Sequence, residues 1–281
     1  MPIIQYSGWL LTETFVSFLI LGAVAAFLKY TATGHPGALI LSAFAVGVCA
    51  LTKPHMAPLP VLFAIAVLPR VGWRRTGRDL AIQLALVALV LSPWIVRNAV
   101  VLHAFVPGVS RGGVTFWGGT GPADGRPIGG LGERLVPPHV RAAVAGMSEV
   151  ERDRWLYREG VRVIQSDPGR YARLLVRKVF QLWLNLGFDD PPSKASLAFA
   201  LFSLVAVALA AAGMWLMRPD PVAARLAVIL VVYFTVVHLA FFTLGRYALP
   251  AYSYLFCFTA AGVFALRARL VRHRGEAETS A

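Results

Sequence analysis

The sequence predicts an all-α, polytopic membrane protein of about seven transmembrane helices, with a long outer loop containing amphipathic surface helices. Three observations predict it. Of 281 residues, 57% are hydrophobic and only 15% charged, more apolar surface than a soluble domain of this size needs. Several apolar runs approach the length that spans a bilayer. Basic residues cluster at the ends of those runs, where the positive-inside rule puts them. The net charge of +13 is therefore read as membrane topology rather than nucleic-acid binding. Cys49 and Cys257 both fall inside apolar runs, which argues against a disulfide framework or metal cluster. The amino terminus lacks a basic leader region and its apolar run continues too far for a cleavable signal peptide.

The apolar segments lie at roughly 9–28, 38–53, 56–69, 80–101, 195–217, 223–242 and 247–266. Pro54, Pro58 and Pro60 cannot continue a regular helix, so the second and third runs are read as a tight hairpin of two spans. If the segments alternate, Lys29, Arg70, Arg74, Arg75, Arg78, Arg218, Arg225 and the arginines from Arg267 onward share one side. Only Lys53 and Arg246 break that bias in the short loops. This places the amino terminus outside the cytoplasmic membrane and the carboxyl terminus in the cytoplasm. The chain thus divides into four helices over 1–101, an extracytoplasmic segment at 102–194, three helices over 195–266 and a basic tail at 267–281.

The outer segment opens with "GVSRGGVTFWGGTGPADGRPIGG", rich in Gly and Pro, which reads as a loop. Ser148 and Glu151 then form a capping box for a helix to about Gln165. Asp167-Pro168 supplies an N-cap and first-turn proline for a second helix. That helix is amphipathic, with Leu174, Leu175, Val179, Leu182 and Trp183 opposite Arg170, Arg173, Arg177 and Lys178, and is expected along the outer membrane surface.

Few residues promise chemistry. Of the 14 acidic residues only Glu13 lies within an apolar span, about 6 Å beyond an interface marked by Trp9 at 1.5 Å rise per residue. It either pairs with a neighbouring cation or lines a polar cavity that opens outward. Arg97 and Asn98 follow Pro93-Trp94 near the outer end of the fourth span. Arg97 either snorkels beside Trp94 or, with Arg111, forms an anion site, because a guanidinium fork matches phosphate. Arg246 and Lys53 are cations kept on the disfavoured side, which also suits an anion. His238, inside the sixth span, reads as a core residue before a ligand. Asp189-Asp190 reads as a loop feature before an acid pair. No metal-protease, dithiol, P-loop or nucleophile-elbow pattern is present.

Five phrases in order carry a resemblance: "PIIQYSGWLLTETFVSFLIL", "VGVCALTKPHMAPLPVL", "LSPWIVRNAVVLHAFVPGVSRGGVTFWGG", "EVERDRW…VIQSDPGRYARLLVRKVFQLW" and "GRYALPAYSYL". Together they resemble the GT-C glycosyltransferases, nearest to the bacterial family 39-like group related to protein mannosyltransferases and aminoarabinose transferases. The resemblance covers nearly the whole chain. It implies transfer of a sugar from a polyprenyl-phosphate carrier to an acceptor lipid, glycan or protein on the outer face, with Lys53, Arg97, Asn98, Arg111 and Arg246 toward the phosphate. A carboxylate such as Glu13 would deprotonate the acceptor or place a divalent metal ion, if one is used. Lys53 stands where the family usually has Arg. Family members also begin with further helices and an acidic outer loop before the point matching Met1, so the chain alone is expected not to transfer sugar. The rival class is a non-enzymatic membrane protein, such as a transporter or flippase component, or an inactive truncated remnant. A transporter should show polar, broken helices near mid-membrane, whereas the polar groups here collect at the outer rim.

Overall fold

The computed structural model describes residues 12–122, 126–129, 132, 134, 136–186, 188 and 191–279, with side chains through 269 in the last helix. Trp9 and the Asp189-Asp190 pair lie outside the described residues. Ten α-helices occur among the described residues: α1 (Thr12–Thr33), α2 (Pro36–Thr52), α3 (Leu59–Leu102), α4 (Gly112–Gly119), α5 (Pro138–Val144), α6 (Glu149–Ser166), α7 (Pro168–Leu184), α8 (Lys194–Met217), α9 (Pro221–Ala240) and α10 (Leu249–Thr279). Single 3-10 turns at Pro54–Met56 and Gly245–Ala248 precede α3 and α10. No strand occurs among the described residues.

Five helical segments among them are long and apolar enough to cross a membrane: α1, Pro54–Leu102, α8, α9 and Gly245–Arg269. Two differences separate this from the seven runs of the sequence. Helix α2 has 17 residues and is a shorter apolar helix, while the runs at 56–69 and 80–101 belong to one helical segment. Gly72 breaks that segment, with φ 75° and ψ 167°, a region in which only glycine is unstrained.

Packing follows the break. Before it, Phe63 stacks on Phe27 of α1 with ring centroids 4.8 Å apart. After it, the Tyr30 hydroxyl donates to Asp79 at 2.7 Å, Val90 presses on Gly47 of α2, and Gly108 meets Pro54. Both halves of α3 therefore lie along the same bundle. Contacts place Tyr30, Asp79, Arg70 and Asp220 at one end of it, with Arg70 2.6 Å from Asp220. Glu13, Lys53 and Arg246 meet at the other.

Helices α8 and α10 approach closely at two glycines. A Cβ on Gly213 would sit 2.1 Å from the Phe258 carbonyl oxygen, and one on Gly262 2.1 Å from that of Leu209. Small residues at such crossings let backbones touch, which replaces the hydrophobic drive that lipid removes.

In the middle segment both helix starts are as expected. Ser148 and Glu151 cap each other's backbone at the head of α6, and Asp167 accepts the Arg170 amide at 2.8 Å ahead of α7. The glycine-rich stretch is not wholly a loop. Its "GGVTFWGG" forms α4, because the glycines admit neighbouring backbone: a Cβ on Gly113 would lie 2.1 Å from the Asp153 carbonyl oxygen, and one on Gly118 2.0 Å from that of Ile128. Trp117, in its centre, is fully buried. The faces of α7 also differ from expectation. Lys178 is buried between Leu174 and Leu182 on a single stripe, while Val176, Val179 and Phe180 are exposed.

The glycine contact is testable by adding one carbon. Gly213→Ala or Gly262→Ala should cost about 1–3 kcal/mol through overpacking, read as a lower melting temperature of the detergent-solubilised chain. Gly22→Ala, where a Cβ would meet nothing within 4 Å, should leave the melting temperature unchanged or raise it; equal behaviour of all three would remove the close-approach explanation.

Candidate functional site

The end of α9 sets the site. Backbone carbonyls at a helix C-terminus lack intrahelical donors, and here a side chain from another element supplies them. Lys178 Nζ donates to the carbonyls of Leu239 and Phe241, both at 2.8 Å. The Phe242 amide donates to the Thr115 carbonyl of α4 at 2.9 Å, and Gly119 lies against the Phe241 backbone. Helices α4, α7 and α9 are thereby fastened together at one end of the bundle.

A cavity of about 650 Å³ opens beside that junction. Its walls come from four places: the α2–α3 turn (Lys53, Pro54, His55), the stretch after α3 (Phe105 to Gly112), the first half of α6 (Asp153, Arg154, Tyr157) and the end of α9 (His238, Phe241, Phe242), with Tyr247 beyond. The stretch after α3 is held by α3 itself. Asn98, buried, donates to the carbonyls of Val106 at 2.9 Å and Gly108 at 3.2 Å, and the Trp94 indole donates to Gly108 at 2.8 Å.

Charge is distributed unevenly in this cavity. Lys53, Arg111 and Arg154 line it, and Asp153 is the one carboxylate among its described lining residues. Asp153 Oδ1 accepts the Gly113 amide at 2.6 Å, and burial raises its pKa above the ordinary carboxylate value despite that bond. Tyr157, also pushed up by burial and then by Asp153, stands one helical turn further along α6. On α9, His238 Nδ1 lies 2.8 Å from the Phe234 carbonyl. A carbonyl only accepts, so Nδ1 carries the proton and Nε2 of the neutral ring is an acceptor. The ring packs edge-on to His55 at 5.2 Å and tilted against Tyr247 at 5.3 Å.

Glu13, 4% exposed, sits behind Lys53. Its Oε1 is 3.4 Å from Lys53 Nζ and 3.6 Å from Arg246 Nε. The same two cations lie over the Tyr247 ring, at 5.3 and 5.6 Å from its centroid. The acid in the apolar run is thus paired, and paired twice.

Of the residues singled out by sequence, the structure brings Glu13, Lys53 and Arg246 into one cluster and puts Arg111 in the adjoining cavity wall. Arg97 is exposed, lies over Trp94 at 5.1 Å and donates to Asn98 at 3.0 Å. It is not part of the cavity lining, and Asn98 acts through the loop that it anchors. His238 is buried yet reaches the cavity. Sequence reasoning passed over Asp153, Tyr157 and His55. The "ERDRW" stretch gave one signal for Asp153, a carboxylate on the helix that a capping box starts. Among the described residues no group of three or more His, Cys, Asp or Glu could hold a metal ion. Comparison with protein-family models, curated proteins and solved structures finds no match to the chain.

Lys178 gives this site a measurable dependence on pH. Burial lowers its ammonium pKa to about 7, against about 10.4 for an ordinary lysine. The unfolded chain therefore binds more protons between those values, and stability should rise as pH increases from about 7 to 10. Lys178→Met should flatten that rise and cost about 1–3 kcal/mol by orphaning the two carbonyls. Chemical denaturation of both proteins across this range measures it; identical slopes would refute the assignment.

Proposed function

We propose that this chain is a membrane glycosyltransferase component whose cavity holds the phosphate-linked sugar of a polyprenyl-phosphate donor, for transfer to an extracytoplasmic acceptor. The observation that carries the reading is the cavity's composition: cations on an apolar-walled pocket, with a single carboxylate beside them, at the rim of a bundle of membrane-length helices. An amphiphile with an anionic head matches that wall better than a free sugar or a soluble nucleotide does. Lys53 and Arg111 in the cavity wall, with Arg246 beside Glu13 and outside the lining, are the groups for the phosphate, where they would stabilise negative charge as the carrier leaves. Asp153, with its second oxygen and its raised pKa, is the group for the acceptor's proton. The resemblance to GT-C enzymes implies the same phosphate role for Lys53, Arg111 and Arg246, and the role of Asp153 rests on the cavity alone.

The topology belongs to this proposal. Counting α2 as a span and the two halves of α3 as separate crossings gives seven, with the cavity outside and the Arg70 to Arg78 region in the cytoplasm of a plasma membrane. In a background lacking Cys49 and Cys257, Ser148→Cys should react with an impermeant maleimide in intact cells and Arg74→Cys should not; the opposite pattern would place the cavity inside and remove the extracytoplasmic acceptor.

Binding and transfer separate the roles. Lys53→Ala and Arg246→Ala should each weaken polyprenyl-phosphate binding by about 1.5–3 kcal/mol, the range for a lost charge-assisted hydrogen bond. Arg97→Ala should not. Asp153→Asn should keep binding and lose transfer, measured with a panel of polyprenyl-phosphate sugars in membranes that contain the chain and any partner it requires. Normal binding by well-folded Lys53→Ala and Arg246→Ala proteins would overturn the reading.

A further inference from the structure

We infer that Glu13 is an internal counter-ion, occupying in the ligand-free protein the place on Lys53 and Arg246 that a ligand's phosphate takes, and that binding displaces it. The inference rests on the reading of these cations as phosphate holders, and adds a competitor to it.

The geometry around Glu13 is crowded in charge and poor in bonding. Two cations share one carboxylate oxygen, leaving a surplus of positive charge. Charge-assisted hydrogen bonds run at about 2.7–2.9 Å, whereas these contacts are 3.4 and 3.6 Å. The longer is an ion pair without a hydrogen bond: Arg246 Nε is buried and has no hydrogen-bond partner among the described residues. A buried ion pair offsets its desolvation only when its geometry is good and its remaining protons are bonded. This cluster has long contacts and an unbonded Arg246 Nε, so it is poised for a better acceptor.

A phosphate group is such an acceptor. Its oxygens point several ways, so it can bond the Lys53 ammonium and the Arg246 guanidinium at once, each at a short distance. The position is accessible, since Lys53 and Tyr247 line the cavity and the Arg246 side chain, outside that lining, is 28% exposed. Tyr247 also fixes the pair, because both cations rest over its ring. Glu13 has local company to fall back on: Thr12 Oγ1 stands 3.5 Å from its second oxygen. Held in this way, the cations remain ordered while the site is empty, and the carboxylate sets a threshold that a neutral or weakly anionic lipid head does not cross.

The test uses dodecyl phosphate, which has the charge and a tail but no sugar, titrated calorimetrically into the full 281-residue chain in a nonionic detergent. Glu13→Gln should tighten binding about tenfold, the factor that a charge contact of ordinary strength carries. Lys53→Met should weaken it, and adding Glu13→Gln to Lys53→Met should bring little further gain, because a cation for which Glu13 and the phosphate compete is gone. Glu13→Asp, which shortens the reach without removing the charge, should tighten binding to a smaller degree and serves if Glu13→Gln does not fold. Unchanged or weaker binding by the folded Glu13 variants, or no binding by any of them, would overturn the displacement. Sugar transfer plays no part in the readout. Tighter binding by Glu13→Gln, with no transfer in membranes that contain the chain and any partner it requires, would keep the counter-ion and sink the transferase, and transfer there with unchanged binding would do the reverse.

Discussion

Everything at the cavity end depends on how α9 stops. A helix that ends near a membrane rim leaves carbonyls that water cannot always reach, and unsatisfied groups there are expensive. This chain answers with one lysine. Lys178 reaches from α7 to the carbonyls of Leu239 and Phe241, and its Nζ donates to both. Once the lysine is in place, α9 leaves its axis in an extended conformation at Phe241. The Phe242 amide is thereby free to bond Thr115 of α4. The same exit turns Phe241 and Phe242 into the cavity wall and leaves His238 just behind them. Remove the lysine and the positions of α4, α7 and the cavity lose their common anchor.

What was legible in the sequence is what local chemistry decides. The apolar runs are helices, and Ser148, Glu151, Asp167 and Pro168 start α6 and α7 as short-range capping requires. What was not legible depends on distant partners. "GGVTFWGG" has a loop's composition, yet it is helical because the Asp153 and Ile128 backbones need the room that missing Cβ atoms leave. Lys178 has the composition of a polar face, yet it points inward because two carbonyls 61 and 63 residues away need donors. The runs at 56–69 and 80–101 were legible as separate apolar stretches, but the break between them is a single kink at Gly72 inside one helical segment, so length alone counts them once.

The site divides along the same line. Lys53 and Arg246 were conspicuous because they break a charge asymmetry that the membrane imposes, and the structure brings them together on Glu13. Arg97 and Asn98 were conspicuous instead for their place after Pro93-Trp94 at the outer end of a span, and they have different tasks. An interfacial arginine over a tryptophan needs no ligand, and Asn98 uses its amide to hold backbone. Asp153 carried almost no sequence signal, as one acid in a helix rich in charge. Its position becomes telling only when the Gly113 amide and the cavity are seen beside it.

The two ends of the bundle differ in how their cations are matched. At the end holding the α3 break, Asp220 takes Arg70, and Asp79 takes Arg75 and Arg78 while accepting the Tyr30 hydroxyl. Those carboxylates lock helix ends to one another. At the cavity end Glu13 is spread over two cations at long range, and no ion pair forms with Arg111 or Arg154 among the described residues. Arg70 meets Asp220 at 2.6 Å and Arg78 meets Asp79 at 2.9 Å, whereas Lys53 and Arg246 share Glu13 at 3.4 and 3.6 Å, which leaves one positive charge over beside the cavity. A surplus of that kind costs stability in an empty protein through self-repulsion, and it persists where an incoming anion completes it.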